Sequence, residues 1–136
     1  GVVYQGSLPP PKGEVPEEAY RVPIGKAHVA RTGTQATVVA TSIMVQKSLE
    51  AAETLAAEGI DIEVIDLRTL RPIDTDTIIT SVKKTTRLAC VYEGVKTLGI
   101  GAEISARIAE SEAFDYLDAP ILRLGGSESP IPYNPQ

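Results

Sequence analysis

Tryptophan is absent from this chain of 136 residues, and cysteine, histidine, methionine and phenylalanine each occur once. The lone Cys90 excludes an internal disulfide framework and a paired-cysteine metal site. With His28 as the only histidine, a zinc site lacks ligands, and no Ser/His/Asp or Cys/His catalytic set assembles around it. No apolar run approaches the roughly 20 residues of a membrane span. The first twenty residues lack the basic-then-apolar order of a secretion signal. Positive charge is also in deficit. Thirteen Lys and Arg face eighteen Asp and Glu, for a formal net charge of −5. That balance argues against nucleic acid or an anionic membrane surface as a partner.

What is present suits one globular domain. Hydrophobic residues make up 43% of the chain, and the length supports a real core. Both ends read as loop: "PPPKGEVPEE" near the start and "SPIPYNPQ" at the close are rich in proline and carry no periodic pattern. The chain is therefore expected to be a piece of a longer one.

Between those ends, strand and helix signals alternate. "IGKAHVAR" (24–31) reads as an edge strand, "RTGT" (31–34) as a turn, and "ATVVAT" (36–41) as a buried strand. A hairpin is expected from these three, with the first strand antiparallel to the second. Residues 42–59 read as a helix, capped by Ser42, ended by Gly59, with Val45, Leu49, Ala52, Leu55 and Ala56 on one face. "IEVIDL" (62–67) is a strand. Residues 74–85 form a helix with Asp74 as N-cap and Lys83 and Lys84 at its negative end. "RLACVY" (87–92) is a strand, 101–111 a helix carrying the Glu103–Arg107 pair, and "PILRLG" (120–125) a last strand. Strict alternation with apolar strands predicts an α/β, three-layer, doubly wound sheet of about five strands, four parallel and one antiparallel at an edge.

Ligands and partners of such sheets gather at the carboxyl ends of the strands. Those ends here carry Thr41 and Ser42, Arg68 to Arg71, Tyr92 and Glu93, and Gly125 and Gly126. Arg68 and Arg71 read either as interface residues or as solvated loop charges. Glu93 has no second carboxylate or histidine near it in sequence, so an interface or structural role suits it better than acid–base work. "GIGAEI" (99–104) follows a strand and opens a helix, a place where phosphate can bind. Its third glycine is replaced by Ile104, and the loop before it is long, so the glycines read equally well as backbone punctuation.

The ordered motifs "YRVPIGKAHVARTGT", "EVIDLRTLRPID", "SVKKT", "YEGVKTLGIGAEISARI", "FDYLDAPILRL" and "PIPY" resemble the carboxy-terminal domain of the beta subunits of 2-oxo acid dehydrogenases, most of all the pyruvate branch. The wider likeness is to the transketolase C-terminal domain. The likeness runs from about Glu14 to Tyr133. It departs at Tyr92-Glu93, where many relatives have His-Glu, and at "GGSES" (125–129), where many have Gly-x-Asp.

The resemblance implies a complete oxidoreductase using thiamine diphosphate and magnesium, with an alpha subunit, a second beta subunit and a dihydrolipoyl acyltransferase as partners. Catalytic, cofactor and metal residues would lie in a missing amino-terminal domain, so this chain alone is expected to bind no cofactor and to be inactive. Residues 1–19 then form a linker and 20–136 the domain, truncated at its carboxyl end. The expected role is assembly. Arg68, Arg71 and Glu93 are its interface candidates, and Glu110, Glu112 and Asp115 candidates for acyltransferase docking. Residues 93–118 hold six acids against two bases, a balance of −4 out of the −5. Two other readings stand beside this one: an independent ligand-binding α/β module with a phosphate or nucleotide at the strand ends, and the C-terminal domain of another transketolase-family enzyme. The expected location is the cytoplasm in a prokaryote, or the mitochondrial matrix or plastid in a eukaryote, without secretion.

Overall fold

The computed structural model describes residues 17–129. Five strands and three helices follow one another: β1 (His28–Arg31), β2 (Ala36–Ala40), α1 (Ile43–Ala57), β3 (Ile62–Asp66), α2 (Thr75–Thr85), β4 (Leu88–Val95), α3 (Ile100–Ala109) and β5 (Leu122–Gly126). A 3-10 turn, Glu112–Tyr116, closes α3, and sequence periodicity did not anticipate it. The expected strand at 24–31 forms only in its second half, and β4 runs three residues beyond the expected Tyr92.

The sheet order is β1-β3-β2-β4-β5, with β2, β3, β4 and β5 parallel and β1 antiparallel at an edge. The four-plus-one architecture read from the alternation is therefore present. The hairpin is not: β1 pairs with β3, not with β2. Residues 32–35 are a crossing rather than a tight reversal. They pass over the amino end of β3 and are fastened there. Gln35 N–H donates to Asp61 O at 2.9 Å, and the Arg31 guanidinium donates to the Asp61 carboxylate at 3.1 Å. Gly33 is needed at the crossing point, since a Cβ there would sit 2.3 Å from the backbone of Ile62 and Glu63.

Side chains alternate across the sheet as strand geometry demands. Ile62 and Val64 face α1, where they meet Ala52. Ile65, Leu67, Val39, Leu88 and Cys90 face the other way and form the larger core with Ile78 and Val82 of α2 and Ile104 and Ile108 of α3. Of the expected inward face of α1, Ala52 is buried and Ala56 is exposed. Ser42 holds the N-cap position of α1 but makes no side-chain cap bond, whereas Asp74 caps α2 by accepting from Thr77 N–H at 3.3 Å. Gly59 ends α1 with φ +82°, a conformation open to glycine. Cys90 is a small core residue, and burial pushes its thiol up to about 12.

Candidate functional site

The carboxyl ends of the parallel strands form one edge of the domain. Because β1 is antiparallel, its start and the residues leading into it lie at that edge too, His28 pairing with Asp66. The lead is laced to the loop after β3. Gly25 N–H donates to Thr69 Oγ1 at 3.0 Å, Thr69 Oγ1 donates to Pro72 O at 3.0 Å, and Ala27 N–H donates to Asp74 Oδ2 at 3.0 Å. Asp74 thus both starts α2 and anchors the chain before β1. Burial works against its charge, but the N–H of Ala27 and the groups of Thr77 outweigh that and hold its carboxyl below the usual aspartate range.

Three non-glycine residues adopt left-handed φ at this edge: Ser42 after β2 (54°), Arg68 after β3 (55°) and Leu98 after β4 (56°). Such conformations cost on the order of 1 kcal/mol each, and they concentrate where proteins make contacts. Apolar side chains stand exposed among them: Ile24 at 80%, Leu70 at 51% and Leu98 at 98%.

Arg68 follows the strand, as its position in "DLRTLRP" suggested. Its backbone N–H donates to Asp66 Oδ1 at 3.1 Å, and its Nε lies 3.8 Å from Asp66 Oδ2. The arginine therefore already has a carboxylate neighbour within its own domain, and its side chain is 32% exposed. Arg71 and Glu93 are exposed. Glu93 lines a pocket of about 310 Å³ with Met44, Tyr92, Leu124 and Gly126. The second group of candidates lies elsewhere, at the end of α3. Glu110 and Asp115 are exposed, while Glu112 accepts from Lys83 Nζ at 2.9 Å. That same ammonium sits 5.2 Å from the Tyr116 ring centroid. The bond to Glu112 pushes the Lys83 amine up, and the charge at Glu112 has a local counter-ion.

The glycines of "GIGAEI" have a specific task. The Tyr92 ring lies under the first turn of α3, and a Cβ on Gly101 would meet its Cε1 at 2.4 Å; one on Gly99 would meet Cε2 at 2.7 Å. Tyr92 fills the space beneath the helix start, and its hydroxyl is buried without a hydrogen-bond partner.

A polar network inside the domain escaped sequence reading. Glu63 of β3 is on the α2 side, its side chain only 4% exposed. Its carboxylate accepts from Lys84 Nζ, from Ser81 Oγ at 2.5 Å and from Gly33 N–H at 3.2 Å. The hydroxyls of Thr37 and Ser81 lie 2.5 Å apart, and those of Thr37 and Thr85 2.6 Å apart. Burial raises the Glu63 pKa, yet the donors from Lys84, Ser81 and Gly33 prevail and hold the carboxyl below the usual glutamate range. The signal was an acid inside "IEVID" with lysines on the helix that follows. The network opens into a groove of about 480 Å³ beside β1, lined by Lys26, Val29, Asp74 and Lys84 among others. Among the described residues no three His, Cys, Asp or Glu side chains gather to hold a metal ion, and no helix is long and apolar enough to cross a membrane.

The domain is a doubly wound α/β sheet with exposed apolar and arginine side chains at its strand ends. Comparison with known proteins places it. The sequence pattern of the family described as "Transketolase, C-terminal domain" matches residues 25–136, and the chain belongs to that family. It is 56% identical over 117 residues to the mitochondrial pyruvate dehydrogenase E1 component subunit beta of Dictyostelium discoideum, covering 86% of this chain and 33% of that protein. It is 50% identical over 121 residues to the corresponding subunit of Rhizobium meliloti, covering 88% of this chain and 26% of that protein. A solved structure described as a split-gene transketolase, an inactive beta4 tetramer, superposes with a TM-score of 0.72 at 29% identity, covering 85% of this chain and 36% of that one. The chain thus spans about a quarter to a third of the length of the curated relatives it matches.

Proposed function

We propose that this chain is the carboxy-terminal assembly domain of the beta subunit of a pyruvate dehydrogenase, joined to alpha and second beta subunits through the strand-end edge. The observation that carries the reading is the 56% identity over 117 residues to a pyruvate dehydrogenase beta subunit. The 29% identity to a transketolase chain supports the fold equally and the substrate less. Thiamine diphosphate and magnesium belong, on this reading, to other parts of the complete enzyme. The work of the described residues is to hold a rigid edge: Asp74 and Thr69 fix the lead, and Arg68 and Arg71 offer planar forks suited to carboxylates or carbonyls.

The test is Arg68→Ala in the complete beta subunit. The pair to Asp66 is loose and part-exposed, so the domain should lose less than about 1 kcal/mol. Dissociation of the assembled enzyme, followed by sedimentation, should become easier by about tenfold or more. A sharp fall in the domain's own melting temperature with unchanged assembly would refute the interface role.

Acyltransferase docking is assigned to Glu110, Glu112 and Asp115, whose charge would speed encounter with a basic partner. Neutralising all three as amides should slow association with the acyltransferase several-fold at low salt and little at high salt. Equal rates at low salt would move docking elsewhere. Glu112 should contribute least, because Lys83 already answers it.

A further inference from the structure

We propose that residues 24–27 act as a strap on the loop after β3, so that this lead and the arginine-bearing loop open and close as one unit. The proposal rests on the assembly reading above and deepens it, because it names what holds Arg68 and Arg71 in place.

β1 and β3 run antiparallel, with His28 opposite Asp66. Continued past that last ladder pair, the register sets Gly25 opposite Thr69. The bond from Gly25 N–H to Thr69 Oγ1, at 3.0 Å, keeps the two segments side by side there. Strand β3 has already ended at Asp66, and Arg68 turns left-handed, so a backbone ladder does not continue. Side chains take over the pairing instead.

Each of the two anchors is shared. Thr69 Oγ1 accepts from the lead and donates to Pro72 O at 3.0 Å, closing the loop on itself. Asp74 Oδ2 accepts from Ala27 N–H at 3.0 Å and from Thr77 Oγ1 at 2.8 Å, while Oδ1 accepts from Thr77 N–H. One hydroxyl and one buried carboxylate therefore hold the lead, the loop and the first turn of α2 together. Packing adds a third tie. Gly25 has φ +76°, and a Cβ there would lie 2.7 Å from Pro72 Cγ. Ala27 and Ile73, one from each segment, both pack against the larger core. Fastenings shared in this way are lost together, which is how a local cooperative unit behaves. Residues 1–23 join the sheet only through the lead, so a shift of the chain ahead of Ile24 would pass to Arg68 and Arg71.

The experiment reads amide hydrogen exchange residue by residue in the 136-residue chain, with each change taken relative to the centres of β2 and α3, which report the whole fold. Gly25→Ala alters the lead alone. It should speed exchange at the Arg68 N–H, which is bonded to Asp66 and not to residue 25, by about fivefold or more. Thr69→Val removes one anchor from the loop side. It should speed exchange at the Ala27 N–H, which is bonded to Asp74 and not to residue 69, by a similar factor, and Thr69→Ser should restore the slow rate. Coupling between two segments is reciprocal, so both effects must appear. If Gly25→Ala leaves Arg68 unchanged, or Thr69→Val leaves Ala27 unchanged, the contacts are independent and the strap is overturned. Gly25→Ala in the complete beta subunit should also ease dissociation of the assembled enzyme several-fold in sedimentation. Coupled exchange with unchanged assembly would uphold the strap and overturn the interface role of the arginine loop instead.

Discussion

Glu63→Ala is expected to lower the unfolding free energy by about 3 kcal/mol, the low end of the cost of breaking a buried ion pair. The low end applies because Lys84 keeps 46% of its side chain in solvent and can be rehydrated when its partner goes. The remaining loss comes from groups that cannot move. Gly33 N–H is fixed by the crossing over β3, and Ser81 faces the sheet from α2, so both lose a charged acceptor. The same residue predicts a pH dependence. Its folded pKa lies below the ordinary 4.5 of a glutamate, so the stability it contributes is fully present above that value. That stability is lost as pH falls through the lowered folded pKa. Asp74, lowered from 3.8, adds a second loss of the same sign at lower pH. Denaturant melts of the wild type should therefore fall off below about pH 4.5, and Glu63→Gln should be less stable at pH 7 but lose less on acidification. Equal acid sensitivity in wild type and Glu63→Gln would show that the carboxylate is not held as described.

Gly101→Ala is expected to cost about 2–3 kcal/mol, despite alanine's advantage of up to about 1 kcal/mol in a helix. The new Cβ would lie 2.4 Å from Tyr92 Cε1 and 2.9 Å from its hydroxyl, so the buried ring would have to shift. Gly99 and Gly125 lie close to its other edge, where an added Cβ would come within 2.7 Å and 3.2 Å of Cε2. A smaller residue at 92 should relieve the clash. The double change Gly101→Ala with Tyr92→Leu should be less destabilised than the sum of the two single changes by at least about 1 kcal/mol. Additive effects in chemical denaturation would mean that the glycine serves the backbone alone. The pairing also gives the glycines of "GIGAEI" a physical reason that needs no phosphate: they make room for a tyrosine.

How far the sequence could be read follows from where its signals are local. Alternation of apolar strands with amphipathic helices is local, and from it came four parallel strands, an antiparallel edge, and the positions of Asp74 and Gly59. The partner of β1 is not local. "RTGT" reads the same whether the chain folds back beside β1 or crosses an intervening strand, and β3, which separates β1 from β2, arrives only thirty residues later. Glu63 was visible as an acid in a strand, but its donors come from residues 33, 81 and 84, which meet only once α2 lies on the sheet. Arg68 was placed after its strand correctly, while its closeness to Asp66 depends on a left-handed turn that a bulky residue rarely adopts. Leu98 gave no signal at all, because one apolar residue in a loop is ordinary until its exposure and its left-handed backbone are known.

If these residues form the carboxy-terminal assembly domain of a pyruvate dehydrogenase beta subunit, they should be able to replace the matching region of a relative. The complete beta subunit of Rhizobium meliloti pyruvate dehydrogenase, its matching carboxy-terminal region replaced by this chain, would be combined with its own alpha subunit and acyltransferase, and overall oxidation of pyruvate measured. An assembled enzyme is expected, with activity within about tenfold of the parent, a barrier change of no more than about 1.4 kcal/mol. A chimera whose beta subunit folds but does not join the alpha subunit, and shows no pyruvate oxidation, would contradict it.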